Sequence, residues 1–198
     1  MEKEQRRFQQ LSTIKSNIPL PKRSTVRSAG YDISIIHPEV FNLMKDRGMD
    51  MDTAWAEVIK EKKEVFYLPE NKVNYLFPTG LKVQIPNDKQ EFLGIFIRSS
   101  VGVKQGIKLS NQTAIIDADY YNNADNEGHI LIPLDIPLRN NPGQQPSLFL
   151  EPEYTQSRYL VFDGPTMRVC QGIFLPYAIT DDDEANGERV GGLGSTGK

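Results

Sequence analysis

The sequence predicts an all-β domain with one helical interruption. Thirteen prolines and fifteen glycines punctuate the 198 residues, and between them run many short segments rich in β-branched and aromatic residues. Only one stretch, residues 39–63, breaks that rhythm. No internal repeat or low-complexity tract is present, and the length suits a single domain with a real core.

Taken in order, a polar lead-in reaches Ile18-Pro19-Leu20-Pro21 and then Ser28-Ala29-Gly30-Tyr31-Asp32. The small pair Ala29-Gly30 permits close backbone approach before a strand through Ile36. Asp32 stands at the strand's start, either as a turn cap or as a functional carboxylate. Within 39–63, apolar residues at 51, 54, 55, 58 and 59 keep helical spacing, with aspartates early and lysines late, which predicts a short amphipathic helix. Trp55 reads as packing against the sheet, or else as part of a partner surface.

Strand signals resume at 64–68 and 78–86, where Leu81, Val83 and Ile85 alternate with polar residues. Phe92–Ile97 reads as a buried strand running into Arg98-Ser99-Ser100. An arginine and two hydroxyls at a strand end make either a phosphate cradle or an exposed turn. Further strands are read at 129–134, 157–162 and 167–175. In the last, alternation places Arg168 and Cys170 on one face and Val169 and Gln171 on the other. Gln171 on an apolar strand needs a hydrogen-bond partner, a neighbouring backbone or a ligand.

The most informative stretch is Thr113 to Tyr120. Ile115 and Ile116 lead into Asp117-Ala118-Asp119-Tyr120 and then a polar turn. Strand alternation would aim Asp117 and Asp119 to one face. A carboxylate on a strand end beside a flat ring can activate water next to a ring-containing ligand, or simply cap a hairpin. Asn111, six residues earlier, carries an amide able to read both donor and acceptor edges of a pyrimidine.

Composition excludes several classes. A net charge of −3 argues against a nucleic-acid binder, though local arginines can still hold a small anion. No apolar run approaches the roughly 20 residues that span a bilayer. A charged N-terminus without an apolar core is unlike an export signal. The single cysteine, Cys170, excludes an internal disulfide and a cysteine zinc cluster, fits a cytoplasmic setting and reads as a small buried hydrophobe. His37 and His129 lack ligand spacing and are assigned to no metal. The tail, 181–198, is an acidic linker followed by a glycine-rich end holding Arg189, Leu193, Ser195 and Thr196. It reads as a disordered terminus or as an arm that orders over a ligand.

Five signatures in this order resemble the trimeric all-β dUTPase family. They are Ser28–Asp32, Arg98-Ser99-Ser100, Asn111 with Ile116–Tyr120, Arg168–Gln171, and Arg189–Gly197. The resemblance implies a jelly-roll-like β-barrel assembled as a homotrimer with shared active sites, and hydrolysis of dUTP to dUMP and pyrophosphate with Mg²⁺. It implies Asp117 as the general base for in-line attack of water at the α-phosphorus. Asp32 would hold Mg²⁺ through water. Arg98, Ser99, Ser100, Gln171, Arg189, Ser195 and Thr196 would bind phosphates, while Asn111, Ile116, Tyr120 and Leu193 would meet uracil and deoxyribose. Residues 181–198 would be an arm closing over the site.

The sequence departs from the family pattern at three places. Leu193 stands where an aromatic residue is usual, the tail reads Arg-x-Gly-Gly, and both 121–127 and 39–63 are extra. The alternatives are a dCTP deaminase-like nucleotide enzyme on the same fold, and a regulatory protein that binds a partner through 39–63.

Overall fold

The computed structural model describes residues 5–140, 156–187, 189 and 191–192. Leu193, Ser195 and Thr196, expected to contact nucleotide, lie outside the described residues. Every strand pair is antiparallel. The main sheet has four strands, β2 (Tyr31–Ile36), β13 (Thr166–Pro176), β6 (Glu91–Ile97) and β8 (Ala114–Ile116), in that order. A second sheet orders β4 (Asn74–Pro78), β9 (Leu131–Asp135) and β7 (Lys108–Leu109). The described residues also form three two-stranded sheets: β1 (Arg7–Gln10) with β5 (Leu81–Gln84), β3 (Val65–Tyr67) with β12 (Tyr159–Val161), and β10 (Arg139–Asn140) with β11 (Gln156–Ser157). The mostly-β expectation holds. Among the described residues, however, the pairings form separate sheets and do not close into a ring.

Alternation builds the main core. Ile132 and Leu134 of β9 turn inward while their neighbours stay half-buried, and they meet Ile33, Ile35, Leu93 and Ile95 from the main sheet. Cys170 is fully buried there, and burial pushes its thiol up to about 12, so it is an inert packing residue.

The 39–63 region holds two helices rather than one, α1 (Pro38–Arg47) and α2 (Met51–Lys60). Pro38 opens α1, His37 Nδ1 accepts the Glu39 N–H, and Gly48 ends it in a left-handed conformation. Asp50 caps α2 by accepting from the Thr53 N–H at 2.9 Å and its hydroxyl at 2.6 Å. Val40, Met44, Ala54 and Val58 bury against Leu11, Ile14 and Ile18 of the N-terminal segment, forming a second core. Trp55 packs against both cores, in line with its packing reading. No helix among the described residues is long and apolar enough to cross a membrane.

His129 ties the two cores together. Its ring stacks on Phe41 of α1 at 5.2 Å, and its Nε2 accepts the backbone N–H groups of Gly80 at 3.0 Å and Thr79 at 3.3 Å. An acceptor ring must be neutral. Burial, aided by the Lys45 cation and opposed by Glu127, lowers its pKa from 6.5 to about 4. The unfolded chain therefore binds a proton here from about pH 6.5 downward, whereas the folded chain does so only near 4. His129 stabilises the fold fully above 6.5, and that contribution is lost as pH falls to 4, amounting to roughly 3 kcal/mol at 1.36 kcal/mol per pH unit. Urea unfolding of parent and His129→Gln chains between pH 7 and 4 is expected to show a steeper decline in the parent than in the variant, which keeps the buried His37.

Candidate active site

Two groups of functional side chains sit at opposite ends of strand β6. The first gathers where β6 ends. Asp32 of β2 pairs directly with Gln171 of β13. Its carboxylate lies 3.4 Å from Arg98 Nε on one oxygen and 3.4 Å from Arg168 Nη1 on the other, and it accepts from the Ser24 hydroxyl at 3.0 Å. Two guanidinium groups around one carboxylate leave net positive charge for an anion.

Gln171 reaches this group because of a bulge. The β13–β2 register shifts between Arg168 and Cys170, so Val169 and Cys170 both enter the core while Arg168 is exposed. The expected facing, with Arg168 beside Cys170, is thus corrected: the extra residue breaks strict alternation, and Arg168 joins Asp32. Gly30 is required here as well. A Cβ at that position would lie 2.6 Å from Gln171 Oε1, so any side chain displaces the amide.

Arg98 is followed by a short helix, α3 (Ser99–Gln105), where the sequence offered a phosphate cradle or an exposed turn. The Arg98 carbonyl accepts from Val101 and Gly102. Ser99 and Ser100, both exposed, occupy the first turn, where N–H groups have no partner within the helix.

The second group lies past the end of β8. The strand stops at Ile116, and Ala118–Tyr120 form a 3₁₀ turn, η1. Asp117 and Asp119 nonetheless converge, because one arginine bridges them: Arg189 Nη2 donates to Asp117 Oδ2 and Nε to Asp119 Oδ1, both at 2.9 Å. The expected phosphate ligand Arg189 is therefore found on the carboxylates. Its guanidinium also lies 5.6 Å from the centre of the Tyr120 ring. Burial raises the Asp117 pKa and Asp119 adds to the rise, while Arg189 opposes it.

Tyr120 is buried, with its hydroxyl accepting from Asn126 Nδ2 at 2.8 Å and donating to the His129 carbonyl at 3.1 Å. The extra 121–127 segment is a built loop. Asn123 Nδ2 donates to the Tyr120 carbonyl at 2.8 Å, and Gly128 turns with φ of 80°, where a Cβ would lie 2.7 Å from that same carbonyl. Buried Lys82 anchors the loop through Glu127 and Asn122, each at 2.6 Å. The Ile116 side chain belongs to the core, which leaves only its backbone to meet a ligand. Asn111 is exposed ahead of β8.

The two groups are far apart within one chain. Ile116 pairs with Leu93, and Arg98 stands five residues further on, just past the end of β6, roughly 17 Å at strand rise. The sheet face that carries Asp32 and Gln171 also carries Phe92, Gly94, Phe96, Ile115, Ile173 and Leu175, by direct cross-strand pairing. Ile115, on the edge strand β8, is 59% exposed. Arg168 and Asp119 were missed as site members from sequence. The proximity of Arg168 to Gln171 and the repeat of aspartate in Asp117-Ala118-Asp119 were the available signals.

An arginine-flanked carboxylate and a separate carboxylate raised by burial are a donor set suited to a phosphoanhydride hydrolase. No family model matches the chain. A deoxyuridine 5'-triphosphate nucleotidohydrolase of Lactococcus lactis is 34% identical over 184 residues, 92% of this chain and 90% of the relative. The corresponding protein of Finegoldia magna is 29% identical over 92% of this chain and 94% of its own. The crystal structure of dUTPase from Streptococcus mutans superimposes with a TM-score of 0.56 at 25% identity, covering 88% of this chain and 98% of that one. A dUTPase from phage phi11 of Staphylococcus aureus shares the fold, with a TM-score of 0.53 at 16% identity over 92% of this chain and 97% of its own. The chain belongs to the dUTPase family.

Proposed function

We propose that the chain hydrolyses dUTP to dUMP and pyrophosphate, with Asp117 as the general base toward water attacking the α-phosphorus. The observation that carries this mechanism is the place of Asp117, just past the end of β8 at the opening of the 3₁₀ turn that carries Tyr120 and 2.9 Å from Arg189 Nη2; burial also raises its carboxyl, which suits it to take a proton from water. Arg98, Arg168 and Gln171, with the first-turn N–H groups of Ser99 and Ser100, hold phosphate oxygens. Arg189 leaves the carboxylates for the γ end. Tyr120 and Asn111 address the sugar and base, together with the backbone at Ile116. Tyr120, fixed at both its carbonyl and its hydroxyl, is a rigid floor suited to refusing a 2′-hydroxyl.

Among the described residues no cluster of three His, Cys, Asp or Glu could hold a metal. Mg²⁺ keeps much of its water and binds chiefly to nucleotide phosphates, so its binding calls for no such cluster. Asp32 would hold the ion through water, and when bound the ion would supply neutralisation of phosphate charge.

The working form is a homotrimer with shared sites, acting in the cytoplasm. Two observations support this assembly: the half-sites lie at opposite ends of β6, and the face between them is apolar. Covering Phe96 and Ile115 with a second copy brings the Asp117 end of one chain to the Arg98 end of another. The dCTP deaminase reading gains nothing from the relatives, which are named nucleotidohydrolases. Helices α1 and α2 are explained by their packing on the N-terminal segment.

The test is pyrophosphate and ammonia release with dUTP, UTP, dTTP and dCTP in parallel. Pyrophosphate from dUTP alone is expected. Ammonia from dCTP, or equal turnover of UTP, would overturn the reading.

A further inference from the structure

The extra 121–127 segment has no part in the chemistry described above, yet every polar atom of Asn126 within it is engaged around Tyr120. Its Nδ2 donates to the Tyr120 hydroxyl at 2.8 Å. Its Oδ1 accepts from Asn123 Nδ2 at 2.9 Å and from the Gly128 N–H at 3.1 Å. Its backbone N–H donates to Asn123 Oδ1 at 3.1 Å, and its carbonyl accepts the His129 N–H at 3.0 Å. An amide can donate to the phenol while accepting from two neighbours, which an ionised carboxylate cannot do.

Both roles of the Tyr120 hydroxyl are thereby filled, since it also donates to the His129 carbonyl at 3.1 Å. The ring is pinned at its far end, and Asn123 Nδ2 fixes the backbone carbonyl at its near end. The loop is itself held from outside by an ion pair. Buried Lys82 of β5 donates to Glu127 and Asn122, and its ammonium lies 5.2 Å from the centre of the Tyr121 ring. The Glu127 carboxylate also accepts the Ser12 N–H at 2.9 Å. Asn122 and Glu127 stand at φ of 57° and 64°, a left-handed conformation that needs such ties to persist.

We infer that Asn126 is a positioning residue for sugar selection: it holds the Tyr120 ring against the deoxyribose, and the Lys82–Glu127 pair holds Asn126 in turn. Refusing a single extra hydroxyl requires a wall that does not give. A ring released at its hydroxyl tilts and makes room for a 2′-oxygen. Lys82 thus bears on the choice of nucleotide from strand β5, through the loop and without touching substrate. This rests on the hydrolytic reading above, in which Tyr120 meets the sugar.

The test compares the full parent chain with Asn126→Ala, Tyr120→Phe, the two combined, and Lys82→Met with Glu127→Gln. That last pair of changes removes both charges together and leaves neither unpaired. Turnover is measured with dUTP and UTP, and the Kd of dUMP and UMP by calorimetry. Asn126→Ala is expected to lower the preference for dUTP over UTP about tenfold, the scale of one hydrogen bond. The change should come mainly from a lower KM for UTP, and the dUMP-to-UMP Kd ratio should narrow alike. In the Tyr120→Phe background the same substitution should shift the ratio less than about twofold, because the atom it acts through is gone. The charge-pair variant should narrow the ratio in the same direction. Unchanged ratios in Asn126→Ala or in the charge-pair variant overturn the inference, as does an equal effect of Asn126→Ala in the Tyr120→Phe background. Equal binding of dUMP and UMP by the parent overturns it as well. If the parent prefers dUMP yet leaves dUTP intact, the hydrolytic reading falls, while the Kd ratios still decide the role of Asn126.

Discussion

Asp117→Asn is expected to slow pyrophosphate release from dUTP by about a thousandfold, within the 10²–10⁴ range that a positioned general base contributes. The amide keeps the shape and one acceptor oxygen for Arg189, but it cannot take a proton from water. Loss of folding is not the expected cause, because burial disfavours the charged carboxylate and a neutral amide escapes that cost. An unchanged melting temperature beside lost turnover is the diagnostic pair. The parent chain carries a matching pH signature. Because the Asp117 carboxyl is raised, activity falls on acidification through a pKa above the ordinary carboxylate value, with the base form present only on the alkaline side. The acid limb of kcat/KM reads this, and a limb at or below the ordinary value contradicts the assignment, as does an active Asp117→Asn chain.

Mixing two inactive variants is expected to restore turnover. Arg98→Ala removes the phosphate end of β6 and Asp117→Asn removes the base, so each alone is nearly silent. If each site joins the Asp117 end of one copy to the Arg98 end of the next, random trimers contain about a quarter of intact sites, as cyclic head-to-tail contacts require. Activity after co-refolding should approach that fraction of the parent. No recovery would mean that base and phosphate ligands belong to one chain, against the roughly 17 Å that strand geometry puts between the two ends. Phe96→Asp places a charge on the apolar face next to Gln171 and is expected to abolish both trimer and recovery by sedimentation and assay.

Much of the site was legible because it stands on regular strands. Asp32 and Arg98 were placed by strand ends, and the main sheet followed from runs such as Phe92–Ile97, whereas alternation paired Gln171 with Val169 and the bulge parts them. What escaped depended on local irregularity. The bulge before Cys170 turned Arg168 out of the expected face, and nothing in Arg168-Val169-Cys170-Gln171 announces one extra residue. Strand β1, with the polar run Arg7-Phe8-Gln9-Gln10, borrows its order from pairing with β5, so its own pattern is silent. Helix α1 was readable in principle, through Pro38, Glu39, the basic last turn and Gly48, but its few apolar residues were overshadowed by those of α2. The convergence of Asp117 and Asp119 was anticipated for the wrong reason: an arginine seventy residues away, not strand pleating, draws them together.

The second core carries a practical warning for engineering. Leu11, Ile14 and Ile18 have α1 and α2 as their cover, so excising the helices to look for a binding partner would strip three aliphatic side chains bare and yield a sticky, self-associating chain. A false interaction, or a false loss of one, would follow from such a truncation. Single charge reversals on the outer side of α2, beside exposed Ile59, probe the same surface while the hydrophobic lining stays closed.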